Sequence, residues 1–313
     1  MSLFPKYMRI SLTEKCPMSC TFCHNEGWSE DFVSLKISPE EWLTIISAGV
    51  ESGIRKVKFV GGEPLLYPQL PQLISMLRAR YPDLDISIIT SGSLPVRKLQ
   101  DCFDAGLSRA NLSIHGWSWE CFQKNSKHQK HFQYRQDNIN WLLQHGTPVK
   151  LNYVYSSSAV ESDLQQLLET MKFHNVTVNV LDDLSNPNIT PQYLIKRLTA
   201  LQGKPAFQFE DPDANSLSTL HLYWSDGLVV EIKNQQLSKI APWKSCKTCP
   251  QKSQCTEGIH AIRVHTDGAL KLCMDRPDIS LPLRKHLENA NLDTMFQQFI
   301  SENLKQEEAL CIQ

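Results

Sequence analysis

Up to residue 202 the chain repeats one pattern six times: a short β-branched or apolar run, a turn residue, then a longer segment with apolar residues at helical spacing. The strand-like runs are Tyr7–Thr13, Lys56–Val60, Asp85–Thr90, Arg109–His115, Val149–Tyr155 and Thr177–Asp182. The helical segments lie within 39–52, 68–80, 95–105, 135–145, 161–173 and 190–202. The first has a complete start signal, with Ser38 as N-cap, Pro39 behind it and Glu40 and Glu41 in the first turn. Trp42, Ile45, Ile46 and Gly49 put one face of it on a core. Strict strand–helix alternation forces a parallel sheet with right-handed crossovers. Six units rather than eight predict an α/β fold built as a partial (β/α)6 TIM-type barrel. In such folds chemistry gathers at the carboxyl ends of the strands, so residues just after each run are the first candidates for a site.

After residue 205 the pattern changes. His221–Ile232 reads as a β-hairpin around Asp226-Gly227, and Ile259–Cys273 as a second around Asp267-Gly268. A helix at about 292–306 closes the chain. The expected division is a barrel over 1–205 and a hairpin-and-helix extension over 206–313. The 313 residues, 41% hydrophobic, suffice for that core. A net charge of −1 gives no electrostatic footprint for nucleic acid. No apolar run approaches membrane-spanning length, and the first ten residues lack signal-peptide architecture. Ten cysteines in such a chain predict metal or redox chemistry in a cytoplasmic setting rather than disulfides.

Seven of those cysteines fall into two groups. Cys16, Cys20 and Cys23 sit on one loop after the first strand. A 4Fe–4S cube normally takes four cysteines, so three leave one iron open, the mark of a reactive rather than a structural site. The alternative is zinc, with His24 completing a Cys₃His set, although zinc usually draws its ligands as two separated pairs. Cys246, Cys249, Cys255 and Cys273 form the second group, four thiolates that suit either a zinc ribbon or a second cluster. Gly61-Gly62-Glu63-Pro64 ends the second strand and Thr90-Ser91-Gly92 ends the third, so both face the same mouth as the cysteine loop.

The cysteine spacing, with Phe22 before the last cysteine, resembles the signature of the radical S-adenosylmethionine (SAM) superfamily, and Gly61–Pro64 resembles its GGEP turn. The resemblance implies a six-fold partial barrel, SAM and a 4Fe–4S cluster as cofactors, and an electron donor such as flavodoxin or ferredoxin. It implies that reductive cleavage of SAM gives a 5′-deoxyadenosyl radical, which removes a hydrogen atom from the substrate. It places Gly61, Gly62 and Glu63 near the SAM amino group, Ser113 at its carboxylate, and Thr90 and Ser91 beside the cofactor. Read without it, Ser113 and Thr90 are ordinary strand-end hydrogen-bonding residues. The second cysteine group resembles the twitch or SPASM extension, which holds an auxiliary 4Fe–4S cluster.

Within the superfamily the chain resembles the molybdopterin-pathway GTP cyclases. Arg9, Lys58, Lys150 and Arg263 stand where that group contacts GTP, although Lys58 replaces an arginine. Three features differ: the chain ends Ala309-Leu-Cys-Ile-Gln313 rather than in a glycine pair, Cys255 is extra, and the base-reading segment reads His260-Ala-Ile-Arg263. A nucleotide or another small anion is one substrate class. Peptide modification and sugar or aminocyclitol dehydrogenation or epimerisation are others, and an iron–sulfur carrier or zinc protein is the non-enzymatic reading. The alternative for Arg9, Lys58 and Lys150 is a set of barrel salt bridges. Cys121, beyond the fourth strand, is either a hydrogen-atom donor or an apolar filler. Cys102 fits the apolar face of the third helix, Cys311 a terminal tail, and His128 and His131 a solvated loop.

Overall fold

The structure is a computed structural model, described for residues 5, 7–20, 23, 37–126, 128–155, 161–172, 174, 176–182, 188–211, 218–234, 243–250, 261–274, 276 and 278–304. Six strands, β1 (Tyr7–Ser11), β2 (Lys56–Val60), β3 (Asp85–Thr90), β4 (Arg109–Ile114), β5 (Val149–Tyr155) and β6 (Thr177–Asp182), lie side by side and parallel in chain order. Helices α1 (Pro39–Glu51), α2 (Leu70–Arg80), α3 (Val96–Asp104), the short α4 (Trp119–Phe122), α5 (Gln129–Gln144), α6 (Glu161–Met171) and α7 (Pro191–Gln202) connect them. At the start of α1 the Ser38 hydroxyl accepts from the Glu41 amide and Glu41 returns the bond to the Ser38 amide, the reciprocal cap that the Ser-x-x-Glu spacing predicts.

The remaining strands do not form a sheet of their own. β7 (Phe207–Asp211), β8 (Ser218–Tyr223) and β9 (Val229–Asn234) form an antiparallel arm whose β9 runs parallel to β6. β10 (Ala261–Val264), β11 (Ala269–Lys271) and β12 (Ser280–Pro282) form a second arm whose β10 runs parallel to β1. Among the described residues the result is one twelve-stranded sheet in the order β12-β11-β10-β1-β2-β3-β4-β5-β6-β9-β8-β7. Both predicted hairpins are present. β7 and β12, which carry no such turn signal, complete the arms. The last helix, α8 (Leu292–Asn303), packs on α1.

Alternation along the strands separates two faces. Met8, Ile10, Val57, Phe59, Ile86, Ile88, Leu112, Leu151, Val178, Val230 and Val264 are buried under the helices and make the core. The other face, which lines the lumen, is polar. Strand register aligns Arg263, Arg9, Lys58, Ser87 and Arg109 in one row, Asn111 with Lys150, and Asn152, Asn179, Glu231 and His221 in another. A closed (β/α)8 barrel fills this space with branched apolar side chains. This one leaves it charged.

One expectation is corrected here. The stretch around His128 and His131 is not a solvated loop: α5 begins at Gln129, and His131 is buried with its Nδ1 2.9 Å from the Ser126 hydroxyl. The buried face of α5 is His131, Arg135, Asn138, Ile139 and Leu142, a helical repeat hidden from a hydropathy reading because its first three members are polar. Cys102 is buried on α3 as the sequence predicts. Cys311, Phe22, His24 and Cys255 lie outside the described residues.

Candidate active site

The cysteine loop leaves β1 and is fixed to three other strand ends. The Gly62 amide donates to Thr13 O (2.6 Å) and the Glu63 amide to Lys15 O (2.8 Å), joining it to the end of β2. The Ser93 hydroxyl donates to Met18 Sδ (3.2 Å), joining it to the loop after β3. The Ser19 amide donates to Asn125 O (3.0 Å), joining it to the segment after β4. The glycine pair makes the first contact possible. A Cβ on Gly61 would stand 2.4 Å from Thr13 O, and one on Gly62 would stand 2.3 Å from Lys15 O. Gly61 also sits at φ +130°, where side chains are strained.

Glu63 is fully buried, and its carboxylate is taken up by the protein itself. It accepts from the Thr90 hydroxyl (2.6 Å), the Ser91 hydroxyl (2.6 Å), the Ser91 amide (2.9 Å) and the Leu65 amide (3.2 Å). Burial pushes its acidity toward the protonated form, against the pull of these donors. Glu63, Thr90 and Ser91 therefore form one unit that locks the end of β2 to the end of β3, with Pro64 opening the next turn. Ser113 faces the lumen near the carboxyl end of β4, paired in register with Asn152.

α5 holds this frame from outside. Arg135, fully buried, donates to Gly116 O and to Trp117 O (2.8 Å) and lies between the rings of Phe122 and Phe132. The Asn138 amide donates to Gly92 O (3.0 Å) and Leu94 O (2.8 Å). The loops after β3 and β4 are thus pinned by neighbouring turns of one helix. Sequence reasoning missed both residues, because a hydropathy pattern counts Arg and Asn as surface. Cys121 is buried in the same layer beside Ser118 and Asp163, which raise and lower its thiol acidity less than burial does. Asp163 itself accepts from the Trp117 and Ser118 amides just ahead of α4, both at 2.7 Å.

The three loop cysteines lie within one another's field. Burial first, then its two neighbours, push Cys20 up to about 12, and burial pushes Cys16 up to about 11. Thiols crowded in this way become thiolates only when a cation joins them. Among the described residues no group of three His, Cys, Asp or Glu side chains is placed to grip a single metal ion. A 4Fe–4S cube would receive each of the three thiolates at a different iron. Of the second group, Cys246 and Cys249 lie in the segment before β10 and Cys273 just after β11; all three are half-buried, and Arg276 stands beside Cys249.

Beneath this frame the lumen carries Arg9, Lys58, Arg109, Lys150, Lys233 and Arg263. Arg109 pairs with Asp85 at 3.0 Å, and Lys150 pairs with Glu231, whose other oxygen is 3.6 Å from His221 Nδ1. Lys58 stands over the Tyr7 ring. Burial, with Arg9, Arg109, Lys233 and Lys150 around it, pushes it down to about 7. Lys58, Arg109, Asn111 and Lys150 line a cavity of about 390 Å³ at the amino ends of β4 and β5, opposite the cysteine loop. The register thus brings three of the four predicted substrate residues, Arg9, Lys58 and Arg263, into one row, with Lys150 across the cavity. Arg109, Asn111, Asn179, Lys233 and Glu231 were not predicted. Their signal was a polar residue at every second strand position.

A family model described as the Radical SAM superfamily matches residues 10–171. A probable GTP 3′,8-cyclase of Methanocella arvoryzae is 31% identical over 176 residues, covering 56% of this chain and 56% of that protein. One of Methanococcus vannielii is 28% identical over 283 residues, covering 88% of each. Among solved structures, Streptococcus suis SuiB bound to S-adenosylmethionine superposes with a TM-score of 0.64 at 13% identity, over 94% of this chain and 66% of that one. The structure of anSMEcpe with bound AdoMet gives 0.56 at 17% identity, over 96% and 81%. At such identities these two likenesses speak for the fold alone, the α/β partial barrel.

Proposed function

The chain belongs to the radical SAM superfamily and is an enzyme, and from that premise we propose that it binds an anionic nucleotide in the lumen of the barrel and removes a hydrogen atom from it. When bound, SAM and a 4Fe–4S cluster supply a 5′-deoxyadenosyl radical, with the electron arriving from a flavodoxin- or ferredoxin-type donor. Cys16, Cys20 and Cys23 would hold three corners of that cluster. Ser113 would orient the SAM carboxylate from β4. Gly61, Gly62, Glu63 and Pro64, with Thr90 and Ser91, would keep the cofactor-facing strand ends in place. Phe22 would complete the family's cysteine loop.

The observation that carries the substrate class is the row of cations across β10, β1, β2 and β4, facing a lumen with few carboxylates among the described residues. A lumen of this charge holds phosphate by direct pairing and draws anions to it. The relatives named as probable GTP 3′,8-cyclases favour a nucleoside triphosphate among anions. Arg9, Lys58, Lys150 and Arg263 would bind its phosphates. Cys246, Cys249, Cys255 and Cys273, on residues 206–313, would hold an auxiliary cluster. Cys121, enclosed beside Asp163, fits a packing role better than hydrogen-atom donation.

Anaerobically reconstituted protein with dithionite, SAM and GTP tests this reading. GTP should raise 5′-deoxyadenosine formation several-fold over SAM alone, and Arg9→Met should abolish the increase while leaving the basal yield. Equal yields with and without every nucleoside triphosphate would refute the substrate class.

A further inference from the structure

The cations that line the lumen cavity differ in what balances them. Lys58, Arg109 and Lys150 reach it from three strands, β2, β4 and β5. Arg109 is joined to Asp85 at 3.0 Å, where β3 and β4 begin. Lys58 stands over the Tyr7 ring, and the charges around it are all positive. Lys150 is different. Its ammonium is paired with Glu231, which comes from β9, two strands away. Thr177 of β6 lies between them, in register with Lys150 on one side and with Val229 on the other. The lysine therefore spans β6 to reach its partner. Glu231 is buried, and its second oxygen stands 3.6 Å from His221 Nδ1.

The arm does not need this pair to stay attached. β9 is hydrogen-bonded to β6 in register from Thr177–Val229 to Val180–Ile232, and Val178, Val180, Val230 and Ile232 pack into the core behind them. A buried ion pair adds little net stability, because desolvation of the two charges offsets their attraction. What the carboxylate does is neutralise one cation at the edge of the cavity. We propose that Glu231 is the resident counter-anion of the lumen, holding Lys150 until a phosphate of the substrate displaces it. The proposal rests on the nucleotide reading above and names the group that sets the threshold for binding. A small anion that meets one lysine competes poorly with a carboxylate already in place. A polyphosphate meets Lys58, Arg109 and Lys150 together and displaces it. Glu231 thereby selects multiply charged ligands by competition rather than by contact, and its released carboxylate keeps His221 beside it.

The proposal predicts that removing a lumen residue tightens binding. Affinities of the reconstituted holoenzyme for inorganic tripolyphosphate and for GTP are measured by calorimetry in wild type, Glu231→Gln, Lys150→Met and the double variant, with thermal melting as the control for folding. Glu231→Gln should bind both ligands about tenfold more tightly, the value of one charge-assisted contact released to the ligand. The gain should vanish when Lys150→Met is the background. Glu231→Asp keeps the charge but draws it back from Lys150. It should shift both affinities in the same direction by less, and it carries the test if Glu231→Gln does not fold. Unchanged or weakened binding of both ligands overturns the proposal, because the pair is then only structural. A loss confined to GTP also overturns it, because Glu231 then contacts the sugar or base. Tighter tripolyphosphate binding with no binding of GTP refutes the nucleotide reading and leaves the role of Glu231 standing. If no variant binds either ligand, both fall.

Discussion

The strand ends that frame the cysteine loop and the lumen beneath them are both polar, yet they are built on opposite terms. In the frame the buried carboxylate is fully engaged by protein donors. The Glu63 carboxylate accepts from Thr90, Ser91 and Leu65, and Asn138 donates to Gly92 and Leu94. In the lumen, cations outnumber carboxylates among the described residues, and Lys58 is left against like charges that depress its protonation. A network of donors around one carboxylate fixes geometry, whereas a surplus of positive charge favours an anion that balances it. The frame is thus the part that stability requires, and the lumen the part proposed to receive the anionic substrate.

Substitutions in the two regions should separate those roles. The largest effect is expected for Glu63→Ala, which strands buried donors of Thr90, Ser91 and Leu65. It should cost about 3 kcal/mol or more in urea unfolding. Gly62→Ala comes next. Its methyl would press on the Lys15 and Glu14 carbonyls, which are backbone and cannot swing away. A loss of about 1–3 kcal/mol is expected in the same measurement. Lys58→Met should do the reverse: the melting temperature should hold or rise as repulsion is relieved, while affinity for GTP falls about tenfold, the value of one charge-assisted contact. A lower melting temperature in Lys58→Met would break the comparison.

A smaller effect concerns pH. Because Lys58 is held down to about 7 in the folded protein and lies near its ordinary value when unfolded, the unfolded chain binds the extra proton between those limits. Its contribution therefore raises stability as pH climbs above 7. Anion binding has the opposite sign: the ligand needs the ammonium, so affinity should drop a few-fold between pH 7 and 9. Lys58→Met should flatten that slope in calorimetric titrations.

Much of this was legible in the sequence. The six β/α units, both hairpins and the Ser38 cap follow from period and turn chemistry, which act locally. The placement of Cys16, Gly61 and Thr90 at one mouth follows from topology. What could not be read depended on partners far along the chain. Nothing local reveals that Gly61 and Gly62 make room for the Thr13–Lys15 backbone, or that Glu63 is spent on Thr90 and Ser91. The two arms join the barrel sheet because β9 and β10 find the open edges of β6 and β1, a long-range pairing that no turn residue announces. The polar face of α5 was lost for a different reason: Arg135 is buried as a donor between aromatic rings, and a hydropathy pattern counts it as surface.

The most direct test lies in the three thiols at the top of the frame. Wild type and Cys20→Ala, each purified and reconstituted without oxygen and reduced with dithionite, should be compared for 5′-deoxyadenosine formed from SAM. The prediction is release of 5′-deoxyadenosine by wild type and none by Cys20→Ala, with about four irons lost per chain. Undiminished product from Cys20→Ala, or zinc in place of iron at the loop of the active wild type, would contradict it.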